Sequence, residues 1–400
     1  MSRQSIFLAA SFISSFGDFI LVTSLPHGLG FESGNIQFAV IAWLFPAMAV
    51  FGASFFARSV ARRHNSARTD YAKLLLAVAI IEILTAVAAI HYREPMQALV
   101  LSIIFVIGYA FIKEGIPRLL YQVTMYRFFV GDADYARLVG LKSALDIVAA
   151  LSGMLFASQL VALGQWRYGL LIDATTFVIF ALVLLFAGRD FHAPKPVAHG
   201  QTGATAAPAR PTIDWGSLRW VLIGVPLFHA VNALFPNYFP LISTKLGFMN
   251  IGASIVLIAV VRLPGVLSGI FYSHVSAKVP PRFWVRALLI SYCAVGFTFL
   301  AFPSAVTMSY VVLFAGLNIG IHLPSDIMLR NQLTGDDLVH FNTIVLRWLA
   351  VFQFAACCLA IWLYSGGQFR PGIIAACMAG FVLLSVLPWQ LHKRKLLARS

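Results

Sequence analysis

Apolar residues occur in blocks of about twenty along this 400-residue chain, each closed by a short polar or basic break. A helix rises about 1.5 Å per residue, so roughly twenty residues cross the ~30 Å of hydrocarbon in a bilayer. Within that slab, backbone N–H and C=O groups must find partners inside their own segment, which makes each block a helix. Composition agrees, with 60 % hydrophobic and 11 % charged residues, where soluble domains carry about a quarter charged. Soluble globular, disordered, disulfide-rich secreted and collagen-like chains are excluded.

The blocks give twelve spans, at about 5–26, 36–57, 72–91, 97–121, 137–163, 167–187, 217–243, 250–275, 286–303, 306–329, 340–365 and 370–391. The first follows Arg3 but is long, carries Asp18 and ends in Ser24-Leu25-Pro26-His27 without a small-x-small cleavage site. It is therefore a span and not a signal peptide.

A net charge of +14 in a soluble protein would point to nucleic acid. Here the Lys and Arg residues sit mostly between spans. Arg58, Arg62, Arg63, Arg68 and Lys73 lie between spans two and three, and Lys278, Arg282 and Arg286 between eight and nine. Lys393, Arg394, Lys395 and Arg399 lie in the tail, while the opposite connections hold only Arg93, Arg167, Lys245 and Arg370. The asymmetry predicts cytoplasmic termini and contact with anionic lipid rather than nucleic acid.

Gly188 to Gly216 is rich in Ala, Pro, Gly and Thr without apolar periodicity, the composition of a flexible linker, here cytoplasmic. It separates a six-span half at 1–187 from a second at 217–391, with a basic tail at 392–400. The halves repeat faintly. Leu29-Gly30-Phe31 recurs as Leu246-Gly247-Phe248, 217 residues on, and Pro46 as Pro264, 218 on. Glu114 and Arg118 of span four recur as Asp326 and Arg330 of span ten, 212 on. The near-constant offset predicts two pseudo-symmetric six-helix bundles.

This layout resembles the major facilitator superfamily. Within it, Ala136-Arg137-Leu138-Val139-Gly140-Leu141-Lys142-Ser143-Ala144-Leu145-Asp146 and Leu171-Ile172-Asp173-Ala174-Thr175-Thr176-Phe177 are similar to spans five and six of the macrolide-efflux and enterobactin-exporter branch. Ser14-Ser15-Phe16-Gly17-Asp18 in span one is in keeping with it. The resemblance implies a monomeric bacterial inner-membrane exporter of a drug-like compound, siderophore or other natural product, driven by proton antiport. It also implies that spans 1, 4, 7 and 10 line the cavity, 2, 5, 8 and 11 flank it, and 3, 6, 9 and 12 face lipid. Two motifs depart from the family. The loop after span two, Ser54-Phe55-Phe56-Ala57-Arg58-Ser59-Val60-Ala61-Arg62-Arg63, keeps the basic gate residues Arg62 and Arg63 but lacks the acid that latches the outward-open form. The glycine-rich antiporter run of span five is reduced to Ser152-Gly153-Met154-Leu155-Phe156-Ala157.

An ionised side chain at membrane depth costs about 3 kcal/mol or more unless paired or wet, so each is a candidate for function. Asp18, mid-way along span one, and Asp146 in span five are candidate proton carriers; structurally, Asp18 could serve as an interhelical hydrogen-bond group, and Lys142–Asp146 as a self-neutralising i, i+4 pair. Arg262 has no acid within four residues on its own span, and needs a partner elsewhere or an anionic substrate. His229, Asn232 and Asn237, among Pro226, Pro236 and Pro240, are substrate-binding candidates or interhelical donors, and His322 is a weaker one. Glu114 with Arg118 and Asp326 with Arg330 are gating or interfacial ion pairs. Glu82 and Asp173, in peripheral spans, read as structural, and Arg347 is expected to pair with Asp326 or meet the headgroups.

The four cysteines, Cys293, Cys357, Cys358 and Cys377, lie inside apolar spans and read as small core residues. The sequence holds no nucleophile–base–acid set, P-loop or metal cluster, so neither an enzyme nor a bound cofactor is expected. The partners are a small-molecule substrate, protons and the bilayer. Export leads; import of a sugar, organic acid or peptide, and a non-transporting receptor or assembly factor, remain alternatives.

Overall fold

The computed structural model describes residues 3–55, 67–91, 132–186, 236–260 and 335–365, with a few isolated positions besides. These hold α1 (Arg3–Ser33), α2 (Ile36–Ser54), α3 (Ala67–His91), α4 (Asp132–Ala162) and α5 (Tyr168–Phe186). A short 3₁₀ turn (Pro236–Tyr238) then leads into α6 (Phe239–Lys245), followed by α7 (Ile251–Val260) and α8 (Gly335–Ser365). They correspond to spans one, two, three, five and six, the end of seven, the start of eight, and eleven. Among the described residues five helices are long and apolar enough to cross a membrane. Spans four, nine, ten and twelve and the linker at 188–216 lie outside the described residues.

Helix boundaries follow local chemistry that hydropathy does not register. The first span was expected to end at Pro26, yet α1 continues to Ser33. A proline inside a helix forfeits one hydrogen bond. Leu25 and Leu29, either side of it, are buried, so packing holds the helix together through the defect. The chain then turns at Gly34 (φ +64°), and the Asn35 side chain caps α2 by accepting the Gln37 N–H at 2.9 Å. At the matching place in the second half, Gly247 (φ +73°) closes α6 while Phe248 N–H donates to the Ser243 carbonyl at 2.9 Å. Asn250 then caps α7 through the Ala253 N–H at 2.7 Å. Asn35 and Asn250 are 215 residues apart, so the internal repeat extends to the capping residues.

α1 is the hub, packed against α2, α4 and α5, while α3 packs on α5 and α8 on α2. The α1–α2 and α4–α5 turns lie at one end of the bundle, here the turn end; the opposite end, where α1 begins and α2 stops, is the terminal end. Glu32 ties the two turns together. Its carboxylate accepts Trp166 Nε1–H at 2.8 Å and an Arg167 amino group at 2.9 Å from both oxygens, with Arg167 stacked 4.6 Å over the Trp166 ring. Towards the terminal end, Phe180 of α5 meets Phe7 of α1 and Tyr71 of α3 edge-on at 5.8 and 6.0 Å.

Outward faces are apolar, as lipid requires. On α3, Ile80, Ile83, Leu84 and Val87 are exposed while Leu75, Val78, Ala79, Glu82, Ala86 and Ala89 are buried, two stripes at helical spacing. Exposed Trp348, Val351, Phe354 and Trp362 do the same for α8. Cys357 is buried as expected, but Cys358 sits on the exposed face of α8 rather than in a core.

Candidate functional site

One turn of α1, residues 15 to 18, organises a layer of polar groups across the first half. Towards α4, Ser15 Oγ donates to Asp146 Oδ1 at 2.8 Å, and Lys142 donates to the other oxygen of the same carboxylate. The two predicted groups of span five thus form the expected i, i+4 pair, and a third group from span one is added. The pair is not sealed: the Asp146 side chain is 31 % exposed and that of Lys142 20 %. α1 and α4 approach closely because Gly153 lies against the backbone of Phe16 and Ile20; a Cβ there would stand 2.8 Å from the Phe16 carbonyl oxygen.

Towards α5 the same turn presents Gly17. A Cβ at this position would lie 2.2 Å from Thr176 Oγ1 and 2.7 Å from Asp173 Oδ1, so only hydrogen fits. Thr176 Oγ1 donates to the Asp173 backbone carbonyl at 2.8 Å and lies 3.4 Å from Oδ1 of the same residue. Behind Asp173, on α3, stands Glu82, and the two carboxyls face each other with both residues 0 % exposed. Sequence reasoning assigned both to lipid-facing helices. The helices are peripheral, but the acids occupy their inward stripes. Asp18, the next residue of α1, is half-buried.

Chain segments from the two halves meet at four places at the turn end. His27, buried at 6 % exposure, contacts the Thr23 carbonyl oxygen through Nδ1 at 2.7 Å and the Asn237 carbonyl oxygen through Nε2 at 3.1 Å. A carbonyl only accepts, so both bonds form together when both ring nitrogens carry hydrogen. Gly30 abuts Leu241, and Gly252 of α7 touches Ala162 and the Ser158 carbonyl of α4. Gln37 Nε2 donates to the Ile361 carbonyl at 3.3 Å. Of the predicted substrate contacts, Asn237 is thus placed, by its backbone, in an inter-half contact. Its neighbour Tyr238 is fully buried, edge-on to Tyr364 at 6.1 Å.

At the terminal end Arg347 of α8 reaches α2. Its Nε donates to Ser54 Oγ at 3.1 Å, its amino group lies 3.5 Å from the Ser54 carbonyl, and its guanidinium sits 4.4 Å over the Phe55 ring. These contacts with α2 were not expected; Asp326, the partner suggested for Arg347, lies outside the described residues. The clasp falls where the family's loop motif begins, the motif that here lacks its acid. Arg62, Arg63, Glu114, Arg118, His229, Asn232, Arg262, His322, Asp326 and Arg330 lie outside the described residues. His27, Ser15 and the Glu82–Asp173 contact were not anticipated; the residue after a mid-helix proline was the one available signal, for His27.

Helices gathered around a central α1, with apolar outer faces and interior carboxylates, form a multi-pass membrane bundle. The sequence profile of the Major Facilitator Superfamily matches residues 122–339, more than half of the chain, and the chain belongs to that superfamily. No curated protein matches it in sequence. A bacterial homologue of the iron transporter ferroportin, in an inward-facing state, superposes with a TM-score of 0.67 at 12 % identity over 97 % of this chain and 98 % of that one. The nucleoside transporter NupG gives 0.65 at 12 % over 98 % and 99 %, and a D-xylose-proton symporter 0.65 at 12 % over 96 % of each. At these identities the likeness is one of fold.

Proposed function

We propose that this protein is a proton-coupled exporter of amphipathic small molecules, working by alternating access as a monomer in a bacterial inner membrane with both termini cytoplasmic. The turn end is then the outer end. The carrying observation is Asp146, partly exposed yet at membrane depth and held by Lys142 and by Ser15 of α1. Ionised, this carboxylate fastens α4 to α1. A proton arriving from outside cancels its charge, frees the Lys142 ammonium and loosens the α1–α4 contact; loss of that proton to the cytoplasm restores it. Half-buried Asp18 of α1 is a second proton carrier in this reading, and Arg262 supplies a cation for substrates carrying an anionic group. The likeness of spans five and six to macrolide and enterobactin exporters supports the outward direction.

In inside-out vesicles acidified in the lumen, a fluorescent amphipathic dye is expected to accumulate. Asp146→Asn is expected to abolish accumulation driven by the proton gradient while leaving downhill dye exchange intact. Gradient-driven accumulation at the full rate in that variant refutes the coupling role, and absence of dye flux in the wild type refutes export of this class.

A further inference from the structure

Glu82 lies in the buried stripe of α3 and Asp173 in that of α5, and the two helices pack directly against each other. Both carboxyls are at mid-bundle depth and 0 % exposed. Among the described residues neither oxygen of Glu82 has a hydrogen-bond donor, and the charged group acting on it is Asp173. Among the described residues, the other titratable groups near this depth are Asp18 on α1, next to Gly17, and the Lys142–Asp146 pair on the far side of α1. Two carboxylates in contact in a dry apolar interior repel each other without screening, and neither can be ionised at low cost while the other is. The contact becomes favourable when one proton lies between them, one acid donating and the other accepting, an arrangement that also gives the undonated Glu82 carboxyl a partner.

We propose that Glu82 and Asp173 form a proton-binding site holding a single shared proton, with Gly17 of α1 as its cover. The cover is steric. The Gly17 α-carbon stands so near Asp173 Oδ1 and Thr176 that no side chain or water fits between, so the proton exchanges with solvent only when α1 lifts from α5. Among the described residues no group of three or more His, Cys, Asp or Glu stands here that could hold a metal ion. The site is separate from the partly exposed Asp146, and stands whether or not Asp146 couples transport.

Infrared difference spectroscopy of the whole protein in lipid nanodiscs tests it. The wild type at pH 7 is expected to show a protonated-carboxyl carbonyl band. Glu82→Gln and Asp173→Asn are each expected to lose it, although each keeps one acid, because the new amide N–H donates to the remaining carboxylate in place of the proton. Asp146→Asn keeps the band. Gly17→Ala, which props α1 away from Asp173, is expected to speed its hydrogen–deuterium exchange at least tenfold. No such band in the wild type, or full retention in either single amide variant, overturns the shared site; unchanged exchange in Gly17→Ala overturns the cover.

Discussion

Replacing Arg347 by alanine should release the terminal end of the seam between α2 and α8. Two interactions are lost. The hydrogen bond from the guanidinium to the buried Ser54 hydroxyl, 3.1 Å long, contributes about 1.5 kcal/mol for a charged donor. The stacking over the exposed Phe55 ring at 4.4 Å adds about 0.5–1 kcal/mol. The longer contact to the Ser54 carbonyl, at 3.5 Å, is left out of the sum. A loss of about 2 kcal/mol shifts the balance between clasped and open terminal ends roughly thirtyfold. Spin labels at Met48 and Val351, on exposed positions of α2 and α8 in a background lacking the native cysteines, report it as an inter-label distance distribution. Arg347→Ala should transfer most of the population to a longer distance. Arg347→Lys should fall between, since it keeps the charge but loses the planar fork. Phe55→Leu, which removes only the ring, should shift the balance about threefold. A distribution in Arg347→Ala identical to the wild type would refute the assignment of Arg347 as the clasp.

Two further outcomes test the framework at the turn end. Glu32→Gln removes the ionic half of the clamp on Arg167 and, with Glu32 itself exposed, should lower stability by about 1 kcal/mol, read as a fall in thermal midpoint in detergent. Gly28→Val places a Cβ about 2.2 Å from the Trp166 ring, itself buried and hydrogen-bonded to Glu32; overpacking of about 3 kcal/mol or more should give misfolded, aggregated protein on size exclusion.

What the sequence discloses divides along physical lines. Span positions were legible because the bilayer imposes a length on every apolar block. The i, i+4 relation of Lys142 and Asp146 was legible because one helix brings them together. Contacts between helices were not. Glu82 and Asp173 are 91 residues apart, and Arg347 and Ser54 293 apart, with no local pattern to join them. Assigning α3 and α5 to the periphery was sound for the helices and misleading for their acids, since a peripheral helix still has an inward stripe. The end of the first span was misread for a related reason. Pro26 is a stop signal for an isolated helix, and it yields when α2, α5 and α6 bury the residues around it.

The two ends of the bundle are closed by different chemistry, and this bears on the missing loop acid. At the turn end the halves meet through backbone carbonyls and small side chains: Gly30 on Leu241, Gly252 on Ala162, His27 on Asn237. Such contacts depend on close approach and vanish when the helices part by an ångström or two. At the terminal end a long cation reaches across to a hydroxyl, a carbonyl and an aromatic face, none of which bears charge. An ion pair in that place would hold the clasp more tightly and would have to be broken in every cycle. Neutral acceptors make the contact specific yet easy to release, because a freed guanidinium recovers its hydration while Ser54 and Phe55 leave no buried charge behind. In the absence of the loop acid, the ends of α2 and α8 still contact one another, through a softer interaction.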